Sequence, residues 1–203
     1  SLSNNGTWTY LESLAGSLTI TGCAPTFTFG IADVIACPTD LVIPETINGV
    51  TVTAIGDGAF VASNIISVTI PNSVTNISAC TFADCTSITN ITIPDGVTSI
   101  GSSTFSNCIN LTSVTIPDSV TSIGVGAFSN NQLTSVTIPD SVATIGSAAF
   151  GVQDSANSKL ISVLFNGKYS AAFSSTAFSQ DLTIDSISAC GDQRGWSGIS
   201  FVV

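Results

Sequence analysis

Residues 111–128 read Leu111-Thr-Ser-Val114-Thr-Ile116-Pro117-Asp118-Ser-Val120-Thr-Ser-Ile123-Gly124-Val-Gly-Ala-Phe128. The stretch before it says nearly the same thing: Ile88-Thr-Asn-Ile91-Thr-Ile93-Pro94-Asp95-Gly-Val97-Thr-Ser-Ile100-Gly101-Ser-Ser-Thr-Phe105-Ser-Asn-Cys108. The phrase recurs about every 23 residues. Its prolines, Pro44, Pro71, Pro94, Pro117 and Pro139, stand 27, 23, 23 and 22 residues apart. Six residues after each of the last four comes Ile77, Ile100, Ile123 or Ile145, and five later Phe82, Phe105, Phe128 or Phe150. The first interval is longer because Asn48-Gly49 makes a turn inside it; Ile55-Gly56 and Phe60 then resume the pattern. A polar insertion, Gly151 to Lys159, delays the copy after Phe150. That copy restarts at Leu160, with Asn166 in the place of proline; Phe173 and Phe178 keep the spacing of five, and Leu182-Thr-Ile184 reads as a last partial strand. A fixed period of this length marks a solenoid, in which each coil buries its apolar face against its neighbours.

Within a coil, Val114 and Ile116 alternate with Ser113 and Thr115, as a half-buried strand requires. Proline ends the strand because it has no N–H to give the ladder. Asp118 follows as a turn residue. A second extended piece carries Val120 and Ile123 inward. Gly124 is expected to bend the chain at an unusual φ, and the segment ending at Phe128 to close the coil as one 3₁₀ or helical turn. Each coil is then two short parallel strands joined by corners, with Phe82, Phe105, Phe128 and Phe150 stacked as a spine. Residues 1–40 lack the repeat. Their alternating Trp8, Tyr10, Leu18, Ile20, Phe27 and Phe29, broken by Gly6, Gly22 and Pro25, read as a β-hairpin cap. Residues 41–185 then hold about six coils, and 186–203, with Trp196 and Phe201, a C-terminal cap.

Composition narrows the function. The chain has 203 residues, 44% hydrophobic and 8% charged, which is not the composition of a disordered chain. The net charge is −10, and the only cations are Lys159, Lys168 and Arg194. Such a surface repels nucleic acid and anionic membranes, although acidity also serves plain solubility. No stretch approaches the roughly 20 apolar residues of a membrane helix. With no signal peptide and no methionine, the sequence reads as a mature or excised fragment whose export signal lies elsewhere. There is no histidine, so Ser-His-Asp and Cys-His arrangements are impossible, and the acidic residues are scattered one per coil rather than gathered in a pocket. No enzyme activity and no cofactor are expected. Among six cysteines, Cys23 and Cys37 flank the N-terminal hairpin, where a disulfide would clamp the cap; sequence alone does not fix the connectivity. Cys85 and Cys108, each three residues after the repeat phenylalanine, are expected as buried free thiols; Cys80 and Cys190 stay unassigned. The cysteine spacings match no zinc site.

The phrase L-x-x-(I/V)-T-I-P-D-S-V-T-S-I-G-x-x-A-F-x-x-C resembles the BspA-like leucine-rich repeats of bacteria and protists. The opening 43–60 looks like that family's first coil, and Phe165-Asn-Gly167 and Gly195-Trp196 like its last. The resemblance covers most of 41–203 and implies a right-handed leucine-rich-repeat solenoid. It also implies a secreted or cell-surface module for adhesion to a host or cell-surface protein partner. The chain departs from the family in its few charges and in valine or isoleucine where leucine is usual.

Three candidate sites follow. The first is the outward strand row, Ser67, Thr69, Asn90, Thr92, Ser113, Thr115, Ser135 and Thr137, a hydroxyl-rich sheet suited to a protein, less to a glycan or ice; threonine is also simply a good β-former on a solvated face. Without aromatics the row offers a sugar no stacking ring. The second is the corner column Glu45, Asn72, Asp95, Asp118 and Asp140. Its aspartates Asp95, Asp118 and Asp140 are the calcium candidates, set against ordinary turn chemistry after proline. The third comprises the sequons at Asn5, Asn76, Asn90 and Asn110, which chance supplies readily in a Ser/Thr/Asn-rich chain. A structural spacer with no ligand of its own is the competing function.

Overall fold

A computed structural model of the chain describes residues 2–4, 8–23, 27–28, 31–32, 37–151, 160, 162–166, 172–173, 177–178 and 186–190. The described residues form a β-solenoid with two strand ladders and no helix. Leu182-Thr-Ile184, Trp196 and Phe201 lie outside them.

One ladder is a ten-stranded sheet that begins in the cap and runs on through the coils. Leu2–Asn4 and Trp8–Glu12 pair antiparallel, as do Trp8–Glu12 and Leu18–Cys23. Leu18–Cys23 then pairs in parallel with Val50–Ile55, so the cap hairpin occupies the place of a preceding coil and leaves no open edge there. Val50–Ile55 also folds back on Thr46–Ile47 through Asn48 (φ 53°) and Gly49 (φ 79°), a two-residue turn with both central residues left-handed. The short strands Asn76–Ile77, Ser99–Ile100, Ser122–Ile123, Thr144–Ile145 and Ala172–Phe173 follow in parallel, one per coil and in register.

The other ladder carries the longer strand of each coil and falls into three hydrogen-bonded groups. Asp40–Val42 pairs with Ser67–Thr69, Asn90–Thr92 with Ser113–Thr115, and Ser135–Ile138 with Ser162–Asn166 and Ser186–Cys190. The groups lie side by side without paired register between them. Parallel pairing continues past residue 185 into Ser186–Cys190.

Between the ladders the apolar positions stack in columns: Val74, Val97, Val120 and Val142; Ile77, Ile100, Ile123 and Ile145; Ile88, Leu111 and Leu133, all buried. The phenylalanine spine is longer than the repeat phrase indicates. Phe60, Phe82, Phe105, Phe128, Phe150 and Phe178 stack with ring centroids 5.3–5.4 Å apart and planes within 22°. Trp8 closes its N-terminal end edge-on against Phe60, at 6.4 Å and 84°. Burying each ring is worth about 1.5–3 kcal/mol, with about 0.5–1.5 more per well-placed aromatic pair.

Two expectations for the coil corner are corrected. The closing segment is not a 3₁₀ or α-helical turn. In the coil of Phe82, Ala83 N–H donates to Cys80 O and Cys85 N–H to Phe82 O, but the N–H groups of Cys80, Phe82 and Asp84 cross to carbonyls of the next coil at 2.8–2.9 Å. A helix would keep all these donors within its own coil. The alternation is set by left-handed residues two before and two after the phenylalanine: Gly58 and Ala62, Cys80 and Asp84, Ser103 and Asn107, Gly126 and Asn130, and Ala148 before Phe150. Gly124, in turn, does not have positive φ. It is needed for close approach: a Cβ there would stand 2.6 Å from Ser102 N, and one at Gly101 2.6 Å from Ser78 C. Coil packs on coil, backbone to backbone, at this corner.

Candidate binding face

All eight residues of the sequence-predicted row are exposed, on the outer side of the longer strands. Asn90 stands opposite Ser113 and Thr92 opposite Thr115. The row is longer than the sequence reading made it. Thr69 faces Val42, which is 62% exposed, and Thr137 faces Leu164, half-buried, so apolar side chains stand at both ends of the threonines. The signal for Val42 was present: it precedes Ile43-Pro44 as Thr92 precedes Ile93-Pro94.

The hydroxyls of Thr69, Thr92, Thr115, Thr137, Ser113 and Ser135 make no hydrogen bond with described residues; Ser67 Oγ donates to Asp40 Oδ1 at 2.7 Å, and Asn90 Nδ2 to Thr89 Oγ1 at 3.3 Å. Threonines just ahead of the strands behave differently. Thr121 Oγ1 donates to Thr98 O at 3.0 Å, Thr75 Oγ1 to Thr53 O at 3.3 Å and Thr98 Oγ1 to Thr75 O at 3.5 Å on the shorter-strand side, and Thr112 Oγ1 to Thr89 O at 3.1 Å on the longer-strand side, each reaching back one coil. Ser99 Oγ donates to Asn76 Oδ1 at 3.4 Å, while the neighbouring Ser122 and Thr144 hydroxyls remain unbonded among the described residues.

The corner column is exposed throughout at Glu45, Asn72, Asp95, Asp118 and Asp140. Each aspartate follows a proline whose carbonyl accepts the N–H three residues on, as Val97 to Pro94 at 3.0 Å and Val120 to Pro117 at 3.1 Å, which is β-turn geometry. Among the described residues no group of three or more acidic, cysteine or histidine side chains is placed to hold a metal ion. Carboxylates elsewhere on the coils are bonded internally: Asp57 Oδ1 accepts from Ala79 N–H at 3.0 Å, and Asp84 Oδ1 from Asn107 Nδ2 at 2.9 Å. Asn130 Nδ2 continues that line to Asn107 Oδ1 at 2.7 Å, an amide ladder the sequence reading missed; asparagines two residues after phenylalanine, at left-handed positions, were its signal.

Cys23 and Cys37 are joined by a disulfide, Cα atoms 5.5 Å apart. Cys85 and Cys108 are buried free thiols whose Sγ–H groups donate back one coil, to Phe60 O at 3.1 Å and Phe82 O at 3.2 Å. Burial raises both thiol pKa values, that of Cys108 to about 12. Asn131 takes the next place in that column, 5% exposed, and neither amide atom finds a partner among the described residues. Cys80 is a free, exposed thiol. Asn76, Asn90 and Asn110 of the sequons are exposed; Asn5 lies outside the described residues. Among the described residues no helix is long and apolar enough to cross a membrane.

Coils of about 23 residues, a strand ladder on each side and a stacked phenylalanine spine define a leucine-rich-repeat solenoid. The family model of the BspA type leucine rich repeat region matches residues 53–185 in 6 copies, and the chain belongs to that family. It is similar to a leucine-rich repeat protein from Bacteroides ovatus (27% identity, TM-score 0.65, 84% of this chain and 50% of that one). It is also similar to the T. pallidum leucine rich repeat protein (28%, TM-score 0.68, 81% and 71%). The pneumococcal vaccine antigen PcpA shares the fold at 19% identity (TM-score 0.57, 81% and 50%). The chain thus spans half the length of the Bacteroides ovatus protein. No curated protein matches it.

Proposed function

We propose that this chain is a non-enzymatic protein-binding module of a secreted or cell-surface protein, and that its contact face is the row Ser67, Thr69, Asn90, Thr92, Ser113, Thr115, Ser135 and Thr137. The observation that carries this reading is the contrast between threonines ahead of the strands and threonines within the longer ones. Thr75, Thr98, Thr112 and Thr121, just ahead of strands, bond the preceding coil, whereas Thr69, Thr92, Thr115 and Thr137 leave their hydroxyls to the outside. A regular sheet with free donors and acceptors, and apolar Val42 and Leu164 at its ends, offers a protein both hydrogen bonds and anchor contacts. The family's surface and adhesion roles support the localisation by analogy of fold.

The test is binding of the purified chain to a panel of extracellular-matrix and cell-surface proteins, beside Thr92→Arg/Thr115→Arg. Saturable binding that the variant loses, with an unchanged circular dichroism spectrum, is the expected result. No binding across the panel by a folded sample would replace this reading with a structural spacer.

A further inference from the structure

We infer that the surface this face accepts is cationic: a lysine- or arginine-rich protein surface laid across the threonine rows, its charges meeting a carboxylate rim. The inference rests on the binding face proposed above and adds the chemistry of its partner.

The first observation is where carboxylates are left without partners. Glu45, Asp95, Asp118 and Asp140 each stand three residues beyond the outermost side chain of a longer strand: Val42, Thr92, Thr115 and Thr137 respectively. They border the face along one side, one per coil, interrupted only by Asn72. All four are exposed, and none of their carboxylates bonds a described residue. Asp57 and Asp84, away from this border, have their carboxylates held by Ala79 N–H and Asn107 Nδ2, while Glu12, also away from it, is exposed and unbonded among the described residues, so what sets the rim apart is its succession of one carboxylate per coil. The second observation is independent: the free hydroxyls of Thr69, Thr92, Thr115 and Thr137 lie beside this same border. Two kinds of polar group are thus left available on one side of the molecule.

The third is the balance of charge. Residues 1–158 contain no lysine, arginine or histidine. No lysine, arginine or histidine within residues 1–158 offsets the rim or repels an approaching ammonium or guanidinium group. Coils stack about 4.8 Å apart, so Asp95, Asp118 and Asp140 stand on three successive coils. A multivalent cation can meet more than one of them at once. Neutral hydroxyls inside a charged border match the usual division of labour, in which peripheral charge steers the encounter and the centre makes the contact.

The test uses poly-L-lysine as the probe, with poly-L-glutamate as its counterpart, at low and at physiological ionic strength. Asp95→Asn/Asp118→Asn/Asp140→Asn is compared with Glu12→Gln/Asp57→Asn/Asp84→Asn, which removes as much charge away from the rim. Binding to poly-L-lysine alone, weakened about tenfold or more by the rim variant and less than about threefold by the control, is the expected result. Equal losses in the two variants would reduce the effect to net charge and overturn the inference. A neutral block, Thr92→Tyr/Thr115→Tyr, separates the two proposals. If it abolishes binding to the protein panel while the rim variant leaves both kinds of binding unchanged, the face stands and the cationic partner falls. If the rim variant weakens poly-L-lysine binding and the tyrosine pair does nothing, the cation binds at the corner and the face proposal falls, taking this inference with it.

Discussion

Threonines that lead into the strands and threonines within the longer strands are put to opposite uses. Just ahead of the strands, Thr75, Thr98, Thr112 and Thr121 reach back and bond the preceding coil's carbonyl, so their hydroxyls help hold the stack. In the longer strands, threonines at 69, 92, 115 and 137 stand clear of any described carbonyl. A row of identical side chains therefore does not by itself mark a site. What distinguishes the rows is whether the scaffold already uses their hydrogen-bonding capacity.

The comparison can be broken at several points. Gly124→Ala acts on the shorter-strand side, where the new Cβ would meet Ser102 N at 2.6 Å. Urea unfolding should show a loss of roughly 3 kcal/mol, since backbone cannot yield as a side chain can. Thr92→Arg/Thr115→Arg should lower partner affinity about a hundredfold, near 2.7 kcal/mol, while Thr98→Arg/Thr121→Arg on the other ladder leaves it within about threefold. Equal effects would erase the functional distinction between the faces. Thr121→Val should cost about 0.5 kcal/mol in thermal unfolding, discounted for solvent exposure, where Thr115→Val costs nothing measurable. The last effect belongs to the core and emerges only at alkaline pH. Buried Cys85 and Cys108 hold their protons more tightly folded than unfolded, so their contribution is complete below the ordinary thiol value of 9.0 and fades as pH rises towards about 12. Melting temperature should decline across that range, and less steeply in Cys85→Ala/Cys108→Ala relative to its own starting point. In the native protein a maleimide should label Cys80 and leave both buried thiols untouched.

Much of this was legible because a repeat states each contact several times over. The spacing of proline, isoleucine and phenylalanine gave the strands, the columns and the spine, and it placed the eight outward side chains on one exposed row. Other features were not legible, for separable reasons. Gly101 and Gly124 look like bend residues, and only the neighbouring coil's backbone shows that they make room. Cys80 and Ser103 give no warning of positive φ, whereas Asn107 and Asn130 belong to the types that tolerate it. The bonded state of Thr121 depends on a carbonyl 23 residues away, and a side chain's pattern position does not reveal that partner. Trp8 seals the spine through a contact that crosses from the cap to the first coil, outside any repeat.

The uniform spine carries a hazard of mis-threading. A chain displaced by one whole coil would still set phenylalanine on phenylalanine and isoleucine on isoleucine, so these columns favour stacking without saying which rung goes where. The address must come from the irregularities. The 27-residue first interval with its Asn48-Gly49 hairpin, the Trp8 lid, and the succession Ser63, Cys85, Cys108 and Asn131 in one otherwise repetitive column give each coil an identity. Regularising the sequence towards its own consensus would strengthen every contact between neighbours and weaken the chain's ability to count.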